Sequence, residues 1–260
     1  MSTDWDAFHR RRARLGPPLK PTNDVVACIE AVLAERDTPE PVLLLGATSE
    51  LACSAPNVLA IDWSAPMIAQ VWRGAAPTRP AIQADWRRMP LAAASCAAAM
   101  GDGSLNCVRH PRDYRTVLAE VAHAVRSRGV LAMRVYLRPE YRESLADVAS
   151  SATAGASFHA LKWRIAMALA ENDANVPVVR IRDAFEQLFA SRRALAARTG
   201  WTLETIAEID AYAGSDLVYS FPTAEQLVAT LPGAFEDVRL IGSGDYPLAE
   251  RCPILAARRT

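Results

Sequence analysis

Val42-Leu43-Leu44-Leu45-Gly46 is a short apolar run that ends at a glycine, and three similar segments follow it along the chain. They span residues 59–62, 81–85 and 97–102, and each ends at an aspartate. Buried strands of a parallel sheet have this pattern, and ligands bind beyond the carboxyl ends of such strands. The repeat therefore predicts a ligand-binding edge on a parallel sheet.

The composition restricts the class of protein. The 260 residues are 51% hydrophobic, which allows a sizeable core, and 29 basic residues balance 29 acidic ones. A chain without net charge has no global field that attracts nucleic acid or an anionic membrane, so a small-molecule partner is expected. The first residues have no apolar signal core and no apolar stretch is long enough to cross a bilayer, which predicts a soluble protein.

The cysteines indicate a compartment. Cys28, Cys53, Cys96, Cys107 and Cys252 are scattered and form no C-x-x-C pair. This spacing argues against a disulfide framework and a structural zinc site, and it favours a reducing environment. We therefore expect a cytoplasmic protein without a bound metal.

Helical segments alternate with the strands. The pattern predicts helices over residues 24–36, 65–72 and 111–126, the first capped by Asn23 or Asp24, and a further strand over residues 129–136. Such alternation is typical of a right-handed, doubly wound α/β sheet.

The pattern changes after residue 138. Residues 138–220 consist of helix-length segments, of which the clearest is a predicted helix over 179–198 that ends at Gly200. After residue 221 the earlier pattern returns, with Thr223 capping a helix and two strands over 234–241 and 253–258. We expect a helical insertion between strands five and six of the sheet.

The first strand continues into Leu45-Gly46-Ala47-Thr48-Ser49-Glu50. This loop and the two late strands resemble the class I, Rossmann-like methyltransferases that use S-adenosylmethionine, whose seven-stranded, mostly parallel sheet ends in an antiparallel hairpin. The resemblance implies that Gly46, Ala47, Thr48 and Glu50 approach the methionine part of the cofactor. Thr48 and Glu50 stand where later glycines of the family loop are expected.

Asp62 lies 16 residues beyond Gly46, at the end of the second strand. The resemblance places this acid on the ribose hydroxyls, a task that suits a carboxylate because it accepts two hydrogen bonds at once. In the following turn, Trp63 also belongs to the implied cofactor site, and Met67 would pack beneath the adenine, with a core methionine as the structural alternative. Ser64 is interpreted simply as a helix cap.

Two further strand ends complete the implied cofactor site. Asp85 would accept a hydrogen bond from the adenine amine, and Trp86 would add a flat wall. Asp102 and Gly103 would face the transferred methyl group. The structural alternatives are an exposed acid beside a core tryptophan and an ordinary strand-to-loop turn.

The implied reaction is an in-line displacement of the methyl group, which depends on orientation and exclusion of water more than on a strong base. His110 and Asp102 are the candidate catalytic residues, with a loop or helix-cap histidine as the alternative for His110. His9, His123 and His159 also occur singly, without ligand-like spacing.

The resulting prediction divides the chain into four parts. Residues 1–21 form a lid or cap, with Trp5, Arg10, Arg14 or Lys20 near the carboxylate of the cofactor. Residues 22–137 form the cofactor-binding core, 138–220 shape the acceptor pocket, and 221–260 complete the sheet. The predicted function is methyl transfer to a small molecule; the alternatives are an inactive methyltransferase-like binding protein and an NAD(P)-dependent oxidoreductase.

Overall fold

A computed structural model describes residues 12–74, 77–170 and 173–260. The strands are Val42–Leu45 (β1), Val58–Asp62 (β2), Ala81–Gln83 (β3), Cys96–Asp102 (β4), Val125–Arg134 (β5), Asn175–Pro177 (β6), Val218–Ser220 (β7), Phe235–Ile241 (β8) and Ile254–Arg259 (β9). Seven of them form one sheet in the order β3-β2-β1-β4-β5-β9-β8. Strands β1 to β5 are parallel, whereas β9 is antiparallel to both of its neighbours. The expected doubly wound sheet with its C-terminal hairpin is confirmed.

The apolar run of β1 explains why it lies at the centre. Val42 and Leu44 pack into one hydrophobic cluster, and Leu43 and Leu45 pack into another on the opposite face. All four side chains are fully buried. A strand that is covered on both faces needs an unbroken apolar run, which is the signal that the sequence carries.

The parallel register assembles the polar edge of the sheet. Leu45 pairs with Ile61 on one side and with Gly101 on the other. The next residues along these strands, Gly46, Asp62 and Asp102, are therefore neighbours at the carboxyl edge.

Helices cover the sheet and form most of the insertion. They are Asn23–Leu33 (α1), Ala65–Gln70 (α2), Arg112–Ala124 (α3), Leu145–Ser150 (α4), Phe158–Leu169 (α5), Val178–Leu188 (α6), Arg192–Thr199 (α7), Leu203–Ala207 (α8) and Ala224–Val228 (α9). The predicted caps at Ser64 and Thr223 are confirmed, since each hydroxyl accepts a hydrogen bond from an amide of the first turn. The cap predicted for α1 is wrong: Thr22, not Asn23 or Asp24, accepts from Val25 N at 3.4 Å.

The insertion differs from its prediction in two places. The helix expected over residues 179–198 is divided into α6 and α7, because Phe189 leaves helical geometry at φ −131° and Ser191 caps a new helix. Gly200 ends α7 in the left-handed conformation, as predicted. The antiparallel pair of β6 and β7 was not expected.

A buried asparagine joins the insertion to the core. Asn106 Nδ2 donates to Tyr136 O at 2.8 Å and to Ser220 O at 2.6 Å, and Asn106 Oδ1 accepts from Tyr136 N. These hydrogen bonds join the loop after β4 to the segment just after β5 and to the end of β7, beside the polar edge. Within the described ranges, no helix has the length and apolar character needed to cross a membrane.

Candidate functional site

The loop after β1 needs glycine at only one position. Gly46 has φ +101°, which favours glycine, and its N–H donates to Ile61 O at 2.8 Å. Thr48 has φ −81°, which any residue adopts, so its side chain does not strain the loop. The backbone of this loop therefore does not need the later glycines that the family loop carries at the positions of Thr48 and Glu50.

Asp62 is held at the sheet edge by backbone amides. Its Oδ2 accepts from Ala47 N at 2.9 Å, and its Oδ1 accepts from Ser64 N at 2.9 Å. The side chain is buried, and it lines the cleft described below. Two charge-assisted hydrogen bonds thus join the loop after β1 to the turn after β2.

Asp85 lies further along the same edge and pairs with Arg87. Arg87 Nη2 donates to Asp85 Oδ2 at 2.7 Å, and Arg87 N donates to Asp85 Oδ1 at 2.9 Å. The side-chain hydrogen bond from Arg87 is the main reason that the pKa of Asp85 is below its ordinary value. Trp86 Nε1 donates to Ile61 O at 2.6 Å, which fixes the indole beside Asp62.

Asp102 forms a buried ion pair that the sequence did not predict. Its Oδ1 accepts from Arg134 Nε, and the side chains of Asp102 and Arg134 are 4% and 0% exposed. Arg134 also donates to Tyr246 OH at 3.1 Å and to Pro18 O at 2.8 Å. Burial opposes its charge, but Asp102 nevertheless keeps the pKa of Arg134 well above its ordinary value.

Gly103 follows at φ +65°, where a Cβ atom would stand 2.6 Å from the Tyr136 ring. A glycine is therefore required both by the backbone and by the aromatic ring.

Two chambers, which we together call the cleft, lie along this edge, with volumes of about 1050 and 990 Å³ that include the space open to solvent. Both chambers are lined by Asp62, Trp86, Cys107 and Leu217. The first chamber is also lined by Thr48, Asp102, Gly103 and Tyr136 of the core. The second chamber is also lined by Trp63, Ser64, Asp85 and Arg87.

Residues of the insertion form a second wall of the first chamber. They include Lys162, Trp163, Glu208, Tyr212, Leu217 and Tyr219. Edge-to-face contacts place the Trp163 ring 5.6 Å from Tyr136 and 5.0 Å from Tyr219, measured between ring centres. Sequence reasoning missed this wall because its aromatic residues lie on separate elements.

Residues 12–21, which we call the strap, lie across the first chamber. Arg12, Leu15 and Leu19 line it. On the core side, Arg12 pairs with Glu50, Lys20 Nζ lies 3.3 Å from Glu50 Oε1, and Tyr136 OH donates to Pro18 O at 3.0 Å.

The strap also contacts the insertion. Arg14 Nη1 lies 3.2 Å from Glu208 Oε1, and Ser157 Oγ donates to Pro17 O at 3.2 Å. The strap therefore bridges the core and the insertion over the cleft. Trp5, Arg10 and His9 lie outside the described residues.

The predicted site residues fall into two groups. Those at the cleft are Thr48, Asp62, Trp63, Asp85, Trp86, Asp102 and Gly103. Gly46 and Ala47 form the adjoining loop, Met67 is buried in the hydrophobic cluster behind it, and Glu50 holds the strap.

His110 does not line either chamber. Its ring Nε2 lies 3.3 Å from Gln226 O, and its backbone N donates to Asn175 Oδ1 at 3.0 Å. Burial is the main cause that lowers the pKa of His110. This histidine sits at the junction of the core, β6 and α9.

His159 joins α5 to the strap, and we expect it to make stability depend on pH. Its Nε2 lies 3.4 Å from Arg14 O. Burial, aided by the charge of Lys162, lowers the pKa of His159 from 6.5 to about 4. The unfolded chain therefore binds a proton that the folded protein excludes, so stability is complete above about pH 6.5 and decreases as the pH falls towards 4.

Urea denaturation across this pH range tests the role of His159. The His159→Gln variant should lose less free energy of unfolding on acidification than the wild type. His123→Gln, which alters an exposed histidine at the end of α3, is the matched control and should keep the wild-type pH dependence. Equal pH dependence in wild type and His159→Gln would contradict the assignment.

Within the described ranges, no group of three or more His, Cys, Asp or Glu side chains could hold a metal ion.

The fold resembles solved structures over nearly the whole chain. The CcbJ methyltransferase from Streptomyces caelestis matches with a TM-score of 0.59 and 12% identity, covering 100% of this chain and 98% of that one. The N-methyltransferase NodS from Bradyrhizobium japonicum, in complex with S-adenosylhomocysteine, matches with a TM-score of 0.57 and 11% identity, covering 99% of each chain.

A protein from Rhodobacter sphaeroides, assigned by name to the Zn-dependent alcohol dehydrogenases, matches with a TM-score of 0.61 and 13% identity, covering 100% of this chain and 99% of that one. No protein-family model and no curated protein sequence matches the chain. The chain has the fold of the class I S-adenosylmethionine-dependent methyltransferases, so the resemblance is confirmed at the level of the fold.

Proposed function

We propose that the protein is an S-adenosylmethionine-dependent methyltransferase that acts on a small molecule. The observation that carries this proposal is the cleft, in which Asp85, Asp62 and Asp102 lie at or just after the ends of three parallel strands. Asp62 lines both chambers, and a ribose bound there would join the two halves of the cofactor.

The chemistry of the cleft suits this cofactor. Carboxylates accept hydrogen bonds from vicinal hydroxyls and from an exocyclic amine. Asp62 would hold the ribose, and Asp85 would hold the adenine beside the fixed ring of Trp86. The methionine part would lie in the first chamber, near Gly46, Ala47 and Gly103.

When bound, S-adenosylmethionine supplies a methyl group that a nucleophile displaces from a sulfonium. The chain would position the acceptor between Gly103 and the aromatic wall and would cover it with the strap. Orientation of this kind lowers a barrier by about 7 to 11 kcal/mol in favourable cases. Asp102 is paired with Arg134, and His110 lines neither chamber. Neither residue is therefore assigned as a proton acceptor in the reaction.

Isothermal titration calorimetry with S-adenosylhomocysteine tests the proposal, with NAD and NADP as comparison ligands. We expect S-adenosylhomocysteine to bind and both dinucleotides to fail. The sheet order supports this expectation, since the antiparallel β9 lies between β5 and β8, whereas the dinucleotide-binding sheet continues with parallel strands. Binding of a dinucleotide without binding of S-adenosylhomocysteine would instead favour an oxidoreductase. A methyl-transfer assay over a metabolite panel then distinguishes an enzyme from an inactive binding protein.

We also propose that the strap is the lid of the cofactor site. Deleting residues 1–20 should weaken binding of S-adenosylhomocysteine by at least about tenfold, because several hydrogen bonds, each contributing about 0.5 to 1.5 kcal/mol, order the chamber wall. Calorimetry measures the affinity, and circular dichroism verifies the fold. Arg239→Ala, which removes an exposed ion pair with Glu35 away from the cleft, is the control and should keep the wild-type affinity. Unchanged affinity for S-adenosylhomocysteine after the deletion would show that the strap is not a lid of the cofactor site.

A further inference from the structure

The first chamber extends beyond Asp102 and Gly103 into the aromatic wall, where a methyl acceptor would lie. This inference rests on the proposed function and concerns the chemical class of that acceptor. The relevant residues are Tyr136, Lys162, Trp163, Tyr212 and Tyr219, which all line the chamber.

Lys162 places a positive charge in this wall. The residue is 4% exposed, and its Nζ lies 5.1 Å from the centre of the Tyr212 ring and 6.0 Å from that of Trp163. A cation held against aromatic faces is stabilised by their quadrupoles. Lys20 and Lys162 are the two lysines among the 29 basic residues of the chain, all others being arginine.

Trp163 adds a hydrogen-bond donor to the same wall. Its Nε1 is buried and has no hydrogen-bond partner among the residues that the structure describes. Buried donors are nearly always satisfied in proteins, and a ligand in the chamber would supply the partner of this N–H. That partner must be a hydrogen-bond acceptor, such as an oxygen atom.

Three other charged residues that line the chamber form ion pairs, and a fourth, Asp62, accepts from backbone amides. Arg12 is paired with Glu50, Asp102 with Arg134, and Glu208 with Arg14. An ammonium has three N–H donors, so Lys162 can donate to a ligand oxygen alongside any other contact that it makes. A cationic acceptor is disfavoured, because the protein's own ammonium already lies against the aromatic rings that would bind it.

We infer that the acceptor is an aromatic carboxylate. Its ring would pack against the aromatic wall, and its carboxylate would accept hydrogen bonds from Lys162 Nζ and Trp163 Nε1. The insertion thereby selects the acceptor, while the sheet edge holds the cofactor.

Titrations with benzoate, benzamide and benzylamine, followed by NMR and run with and without saturating S-adenosylhomocysteine, test this inference. Benzoate should bind at least about tenfold more tightly than the other two probes, because one hydrogen bond to a charged group changes the affinity by about that factor. Lys162→Met should remove this preference, and Trp163→Phe should weaken benzoate binding while keeping the ring. Lys162→Gln is the second variant at the buried site in case Lys162→Met does not fold.

The matched control is Arg126→Met, which removes a partly exposed cation that pairs with Glu40 away from the chamber. Its affinity for benzoate should remain within about twofold of the wild type, as expected for a partly exposed ion pair. Preferential binding of benzylamine, or equal benzoate binding by the wild type and Lys162→Met, would overturn the inference even where S-adenosylhomocysteine binds. Failure of S-adenosylhomocysteine to bind would count separately, against the proposed function.

Discussion

Asp102→Ala lowers the free energy of unfolding by about 3 to 5 kcal/mol, the range for breaking one side of a buried ion pair. The substitution leaves the guanidinium of Arg134 fully buried without its carboxylate partner. Arginine cannot escape this cost by losing its proton, because its pKa is too high. Urea denaturation of the variant and the wild type measures the difference.

The double variant Asp102→Ala/Arg134→Met shows whether the lost stability comes from an unpaired buried charge or from lost packing. Replacing both charges with apolar groups removes the unpaired cation, so we expect the double variant to recover most of the lost stability. Arg134 also donates to Pro18 O in the strap, and that contact is lost with Arg134→Met. A single Asp102→Ala variant that loses less than about 1 kcal/mol would show that the pair is dispensable.

The sequence predicts the polar edge of the sheet because a local pattern encodes it. Gly46, Asp62 and Asp102 each end a short apolar run, and parallel register brings such ends together. The alternation of strands and helices predicted the doubly wound sheet in the same way, whereas the antiparallel hairpin was expected from the family resemblance.

The partners of these residues were not predictable. Arg134 lies in an apolar run, and nothing local shows that it is buried against Asp102. The contact depends on the pairing of β4 with β5 and on the strap, which are distant in sequence. Long-range packing, not local propensity, decides this part of the site.

The helices of the insertion were also only partly predictable from the sequence. Apolar spacing continues through Phe189, so periodicity alone predicts one helix, whereas Ser191 starts a second one. Lys162 and Trp163 lie on a helix that is buried on nearly all sides, where periodicity does not distinguish a wall of a chamber from ordinary core.

Asp62→Ala and Asp85→Ala should each weaken binding of S-adenosylhomocysteine by about 1 to 3 kcal/mol, or about 5- to 150-fold in Kd, as expected for hydrogen bonds to a charged group. Asp62 would contact the ribose and Asp85 the adenine. Since these contacts lie at different ends of one nucleoside, the effects of the two substitutions should add in the double variant within about 0.5 kcal/mol. Calorimetry provides the four affinities.

Asp62 also accepts from Ala47 N and Ser64 N, so loss of affinity could follow from a distorted loop. Asp62→Asn distinguishes the two causes, because its amide keeps one acceptor oxygen for the loop but replaces the other by a donor. If the ribose is bound by the carboxylate, Asp62→Asn should lose nearly as much affinity as Asp62→Ala while retaining more stability. Asp37→Ala removes an aspartate that pairs with Arg128 before the start of β1, and it should leave the affinity unchanged. Wild-type affinity in both Asp62 variants would remove the basis for a nucleoside at this edge.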